Sequence, residues 1–182
     1  MIQVDLLKPA GKTEPATLDR PLDHLVACHQ RIEDKLVVLE RAVAHLEDKA
    51  EEALYACRAV ITFLDSSGML HAEDEEESVF PRIRKHATSD ELVYLDSLEL
   101  QHREMEGFVA RLRNQTKQLE RDPALLPGRE NLVQTALKLV AMYRAHMASE
   151  NEALTRIGHA RLDEVDLAEI AFEMRLRRTH GV

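Results

Sequence analysis

Residues 21–46 read PLDHLVACHQRIEDKLVVLERAVAHL. Leu22, Leu25, His29, Ile32, Leu36, Leu39, Val43 and Leu46 step by three and four, which is the apolar stripe of one helix face. Pro21 suits the first helical turn, and the pattern predicts a first helix from Pro21 to about Lys49. A second pattern runs from about Glu51 through Leu54, Cys57, Ile61 and Leu64. Asp65-Ser66-Ser67-Gly68 interrupts it as a kink or short break, and it resumes from Met69 to about His86. Thr88-Ser89-Asp90-Glu91 is a helix-start signature for a third helix reaching about Asp122. After a loop over Pro123–Gly128, a fourth helix is expected from Arg129 to Ile157, stopped by Gly158, and a fifth from Leu162 to Arg178. Four long helices with short connections pack as antiparallel neighbours. The expectation is an all-α, up-down-up-down four-helix bundle with an extra C-terminal helix. The chain divides into an N-terminal arm (1–20), the bundle (21–160) and the C-terminal helix (161–182).

Composition agrees. The chain has 182 residues, 45% hydrophobic and 31% charged, as a globular protein does. Six Gly, six Pro and 4% aromatics without Trp leave little for the turns and cores of β-sandwiches. With 24 basic against 33 acidic residues the net charge is −9, which argues against nucleic acid or anionic membranes as partners. No apolar run nears the roughly 18 residues that span a bilayer, and Met1–Leu18 carries no signal-peptide pattern. Cys28 and Cys57 fall in helical segments as small core residues, which points to a reducing cytoplasm.

The histidines carry the chemistry. There are nine. Of the eight with a residue four places on, six are followed there by an acid, where composition gives about 1.5. His86/Asp90 and His159/Asp163 straddle helix ends. His29/Glu33, His71/Glu75, His102/Glu106 and His146/Glu150 sit one to each long helix. Four residues turn about 400°, so each pair shares a face roughly 6 Å apart along the axis. His29, His102 and His146 interrupt the apolar seams, and His71 with Glu75 continues the second. His24 points elsewhere. Counted from the connecting turns, all four helices bring these residues to one level. A lone core histidine is ordinarily structural. Four of them with three core carboxylates would repel and stay unsolvated unless cations neutralised them.

The donor set is His29, His71, Glu75, His102, Glu106, His146 and Glu150. It is too large for one tetrahedral zinc and has no thiolate. Mixed nitrogen and oxygen donors around two metals suit iron, with manganese second and zinc behind it. Bridging carboxylates with an oxo or hydroxo bridge would leave one position for a small ligand. Glu33 reads as a solvated or supporting carboxylate. Glu73, Asp74, Glu76 and Glu77 read as a solvated face, with Glu76 an alternative ligand. Tyr143 lies one turn before His146, as packing or as a hydrogen-bond donor.

The segments ACHQRIE (27–33), HAEDEEESVFP (71–81, fitting HxxxEExxLFP), Gln101-His102 to Glu106 and YRAH (143–146) to Glu150 resemble the hemerythrin-like, HHE cation-binding family over about residues 21–160. The resemblance implies a non-haem di-iron centre that meets O2, NO or peroxide in sensing, redox or iron homeostasis, in a monomer or homodimer. A metal- and oxygen-binding protein is favoured over a dedicated enzyme. The oxygen-carrying members have HxxxH on the third helix and a His with an Asp five residues on in the fourth. Glu106 and Glu150 stand here instead. Extra carboxylate favours Fe(III), so the site should oxidise readily and be a poor reversible carrier. Two alternatives remain. A ferritin-like di-iron oxidase needs two ExxH motifs, and only Glu99–His102 fits. A metal-free helical interaction module leaves the buried charges unexplained.

Overall fold

The computed structural model describes residues 17–122 and 125–180, apart from the side chains of Leu126, Thr155 and His180. Most of the expected N-terminal arm, loop residues 123–124 and the last two residues lie outside the described part.

Helix α1 spans Pro21–Ala44. It ends earlier than its periodicity suggests because the chain reverses through His45–Asp48, although Leu46 is still buried in that turn. The second rod is α2 (Ala50–Phe63), α3 (Met69–Asp74) and α4 (Phe80–Arg84). π-helical turns at Leu64–Gly68 and Glu75–Val79 join them. The expected break at 65–68 is therefore a widened turn in a continuous rod, and the second widened turn had no sequence warning. Helix α5 (Ser89–Arg121) starts at a capping box in which Thr88 and Glu91 satisfy each other's backbone N–H.

Helix α6 (Leu126–Ala153) begins three residues before Arg129, with Pro127 in the first turn, where its missing N–H costs nothing. Gly158 does not stop this rod. The chain passes through a π turn (Leu154–Gly158) into α7 (His159–Arg161), and no described glycine has positive φ. The glycine serves close approach instead: a Cβ there would lie 3.0 Å from Leu22 Cδ1 of α1. Helix α8 (Glu164–His180) follows.

Helices α1, α2, α5 and α6 pack in a ring, each against its chain neighbours, with α6 closing on α1. The fold is an all-α four-helix bundle with an extra C-terminal helix. Its core is two apolar clusters. One holds Leu36, Leu39, Ile61, Leu112 and Leu139, and the other holds Leu25, Phe80, Leu98, Leu154 and, from α8, Ile170 and Met174. Between them on every rod lies a polar level. On α1, for example, His29 falls between Leu25 and Ile32. No helix among the described residues is long and apolar enough to cross a membrane.

Candidate metal centre

Six of the seven predicted donors converge. His29 (α1), His71 (α3), Glu75 (the π turn) and Glu150 (α6) form one group, and His102 (α5), His146 and the same Glu150 form another. Within each group the donor atoms lie within 4.8 Å of one another, and all are buried. The imidazoles meet in pairs: His29 Nε2 is 2.9 Å from His71 Nε2, and His102 Nε2 is 2.9 Å from His146 Nε2. The carboxylates join the pairs. Glu150 Oε2 is 3.1 Å from both His29 Nε2 and His146 Nε2. Glu75 turns Oε1 to His71 Nε2 at 3.2 Å and Oε2 to His102 Nε2 at 3.6 Å.

The far sides of three of the rings bear on these approaches. His102 Nδ1 donates to Glu76 Oε1 at 2.7 Å, His146 Nδ1 to Gln101 Oε1 at 3.0 Å, and His29 Nδ1 to Asn151 Oδ1 at 2.9 Å. A carboxylate or amide oxygen only accepts, so Nδ1 of His29, His102 and His146 carries a proton, and Nε2 is the nitrogen each ring turns inward. In the His102–His146 pair both Nδ1–H groups are held by an oxygen, so two inward lone pairs 2.9 Å apart would need a proton or a cation between them. In the other pair His71, whose Nδ1 has no partner among the described residues, can donate Nε2–H to His29 Nε2. An Nδ1–H held by an oxygen, as at His29, is the usual support of a metal-ligating imidazole.

Electrostatics lead the same way. Burial, and then the neighbouring His29, hold His71 well below the usual histidine range, so it stays neutral. Burial and the charge of Glu150 push Glu75 well above the usual carboxylate range. Burial would also raise Glu150, but the imidazoles of His146 and His29 beside its Oε2 outweigh it and hold that carboxyl low. Glu75 Oε1 and Oε2, Glu150 Oε1 and His71 Nδ1 are buried without a hydrogen-bond partner. Unpartnered carboxylate oxygens at the meeting point of four imidazoles are the donor chemistry of a divalent or trivalent cation, so the residues fit a metal site.

A cavity of about 200 Å³ reaches this level from between the second rod and α5. His71, His102 and His146 line its floor, Ile32, Leu64, Val109 and Met147 its apolar walls, and Tyr143 one side. At the mouth Arg113 Nε donates to Asp65 Oδ2 at 3.0 Å. Burial raises the Tyr143 hydroxyl above its ordinary range, so it remains a protonated donor at this wall.

Glu106 is the one predicted donor that does not join the cluster. Its side chain is exposed on the cavity rim, because Glu75 Oε2 already takes the place beside His102. Glu76 supports His102 from the outer ring nitrogen and so stands behind the cluster, while buried His24 lies 3.5 Å from Arg178. Glu33 is held by Arg144 at 2.7 Å on the surface. Glu99, of the single ExxH, bonds Arg84 at 2.7 Å instead of facing the cluster. Asp74 corrects the expectation of a solvated acidic face: it is fully buried, paired with Arg177 and Arg178 of α8. Gln101 and Asn151 were missed as supports. Their signal was a side-chain amide directly beside a ligand residue, one position before His102 and one after Glu150.

No curated protein matches this chain. The family model for the hemerythrin HHE cation binding domain matches residues 20–157, which hold every one of the converging donors. The chain therefore belongs to the hemerythrin HHE cation-binding family.

Proposed function

We propose that this chain is a non-haem di-iron protein that binds or reacts with O2, NO or peroxide, in sensing, redox control or iron homeostasis. The observation that carries the reading is the pair of carboxylates. Glu75 and Glu150 each face both imidazole pairs, so two cations side by side would each have two imidazoles and share both carboxylates. His29, His71, Glu75, His102, His146 and Glu150 are assigned to the cations, with Glu106 at the mouth, where an inward turn would add it. Iron ranks first, manganese second and zinc third, since the set mixes nitrogen and oxygen and contains no thiolate.

Iron bound there would supply a one-electron redox couple and a position for a small ligand. The chain's own residues do the rest. Glu76, Gln101 and Asn151 hold the Nδ1 protons and aim the rings. Ile32, Leu64, Val109 and Met147 keep bulk water from the floor of the cavity, and Tyr143 offers a hydroxyl at its side. A pocket this small and apolar suits a diatomic or peroxide-sized molecule. With Glu106 turned inward where oxygen carriers have a histidine, the added carboxylate would make the centre a ready electron donor rather than a reversible carrier. An optical spectrum that switched reversibly with oxygen over hours would overturn that part.

A ferritin-like oxidase loses its one ExxH support because Glu99 is committed to Arg84. Two free buried cysteines fit a reducing compartment, the cytoplasm. A monomer or homodimer is the expected assembly. The test is metal content and the near-ultraviolet and visible spectrum of protein purified aerobically from iron-supplemented cells. About two irons per chain with ferric charge-transfer absorption are expected. One metal or none, unchanged in His102→Ala, would overturn the reading and favour a metal-free interaction module.

A further inference from the structure

Helix α8 lies beyond the residues that match the family, yet it grips the segment that presents Glu75. Asp74 and Glu75 are consecutive and both fully buried. Successive helical residues point about 100° apart, so Glu75 enters the histidine level while Asp74 turns to α8. There Asp74 accepts from Arg178 Nη2 at 2.6 Å and from Arg177 Nη1 at 2.5 Å. Arg177 also reaches Glu77 at 3.2 Å and the Ser78 hydroxyl. One turn on, Arg82 donates to the Ser78 carbonyl at 2.9 Å and binds Glu173 at 2.8 Å and Glu169 at 3.0 Å, both on α8. The π turn Glu75–Val79 is thus held on its outer side by α8, and its inner side is the cation level.

We infer that α8 reads the state of the cation centre: docking of α8 on Asp74 and cation binding at Glu75 are coupled, each strengthening the other. The inference rests on the assignment of Glu75 as a cation ligand. A buried carboxylate stripped of its arginines is costly, so Asp74 cannot stay where it is when α8 leaves, and Glu75 moves with it. Conversely, a centre without cation leaves Glu75 facing Glu150, and the same short π turn is where the rod yields. Single π turns are irregular insertions in an α-helix and cluster at functional sites. A cation bound to Glu75 therefore favours the docked state, and linkage makes the effect reciprocal. Asp74, Arg177 and Arg178 are positioning residues for Glu75, and α8 is the part of the surface that reports loading to the outside.

The test is amide hydrogen exchange on the full chain, cation-free and saturated with Fe(II) under anaerobic conditions. The amides of α8 should slow by at least about fivefold more than those of α2 at the other end of the bundle, a typical coupling. In the reciprocal arm, Arg177→Gln with Arg178→Gln should weaken Fe(II) binding by about 5–150-fold. Arg178→Lys should keep most of the affinity. Arg156→Gln, which removes a pair with exposed Glu152, should change nothing. Fe(II) loading with no selective slowing in α8, or full affinity in the double variant, overturns the inference. If the double variant does not fold, the exchange arm decides alone. A wild-type chain that takes up no Fe(II) overturns instead the assignment of Glu75, and the inference falls with it.

Discussion

On one side of the histidine level the core is Leu36, Leu39, Val43, Ile61, Leu112, Leu119, Leu132 and Leu139, contributed by α1, α2, α5 and α6. On the other side Leu25, Phe80, Leu95, Leu98 and Leu154 do not suffice, and α8 adds Ile170 and Met174. The first end is regular helix up to the π turn that begins at Leu64, and its buried Thr116 is satisfied by the Leu112 carbonyl of its own helix at 2.8 Å. At the second end two of the rods pass through π turns, and the charged side chains of Asp74 and Arg82 are buried against α8. The difference separates two tasks. One end holds the bundle together by apolar burial. The other gives up regularity at the turn that carries Glu75 and recovers closure from a fifth helix and its ion pairs.

The comparison can be broken at several points. Largest should be core truncation. Phe80→Ala is expected to cost about 3–5 kcal/mol and Leu139→Ala about 2–5 kcal/mol in denaturant unfolding. Only Phe80→Ala should also loosen α8, and equal α8 protection in the two variants would erase the distinction between the ends. Next is Glu76→Gln. It keeps the shape but replaces the carboxylate on His102 Nδ1 by an amide, and a supporting partner of this kind is worth about 10–100-fold in cation affinity. Competition with a chelator measures it, and unfolding of the cation-free protein should barely change.

Arg82→Gln removes the contacts with Glu169 and Glu173 and should cost about 1–3 kcal/mol, seen first as faster exchange in α8. Smallest is the acid response. The hydrogen bond from Arg82, opposed by burial, holds the Glu173 carboxyl below its usual range. A depressed folded-state value means that its contribution is present above the ordinary carboxylate value. It is lost as pH falls through the lower folded one. Glu173 is half-exposed, so the loss is about 1 kcal/mol or less. Amide signals of α8 should therefore weaken with acid before those of α2, and Arg82→Gln should remove that order.

Much of this was legible in the residues because helical periodicity is local. The stripe from Leu22 to Leu46, the Thr88–Glu91 box and the level of His29, His71, His102 and His146 follow from spacing alone, and each is present. What spacing could not give is which of two residues on one face turns inward when neighbours compete. Glu106 has the same step from its histidine as Glu75 and Glu150 have from theirs, yet it sits at the rim because another rod supplies the carboxylate beside His102. Asp74 was misplaced for the same reason: its partners lie about a hundred positions away on α8. Gly158 looked like a helix stop, since only the approach of Leu22 reveals why a residue without Cβ stands there.

The four rings are not held alike. Asn151, Glu76 and Gln101 each pin one, while His71 Nδ1 has no hydrogen-bond partner among the described residues. A ring without such a tether keeps more torsional freedom when its inner nitrogen is released, and it is the one that swings away at least cost. His71 also lines the cavity floor. If a cation is held as proposed, its bond to His71 is the one expected to open first when the cation departs and to close last when one arrives, and the lifetime of the loaded state would be set on that side of the centre.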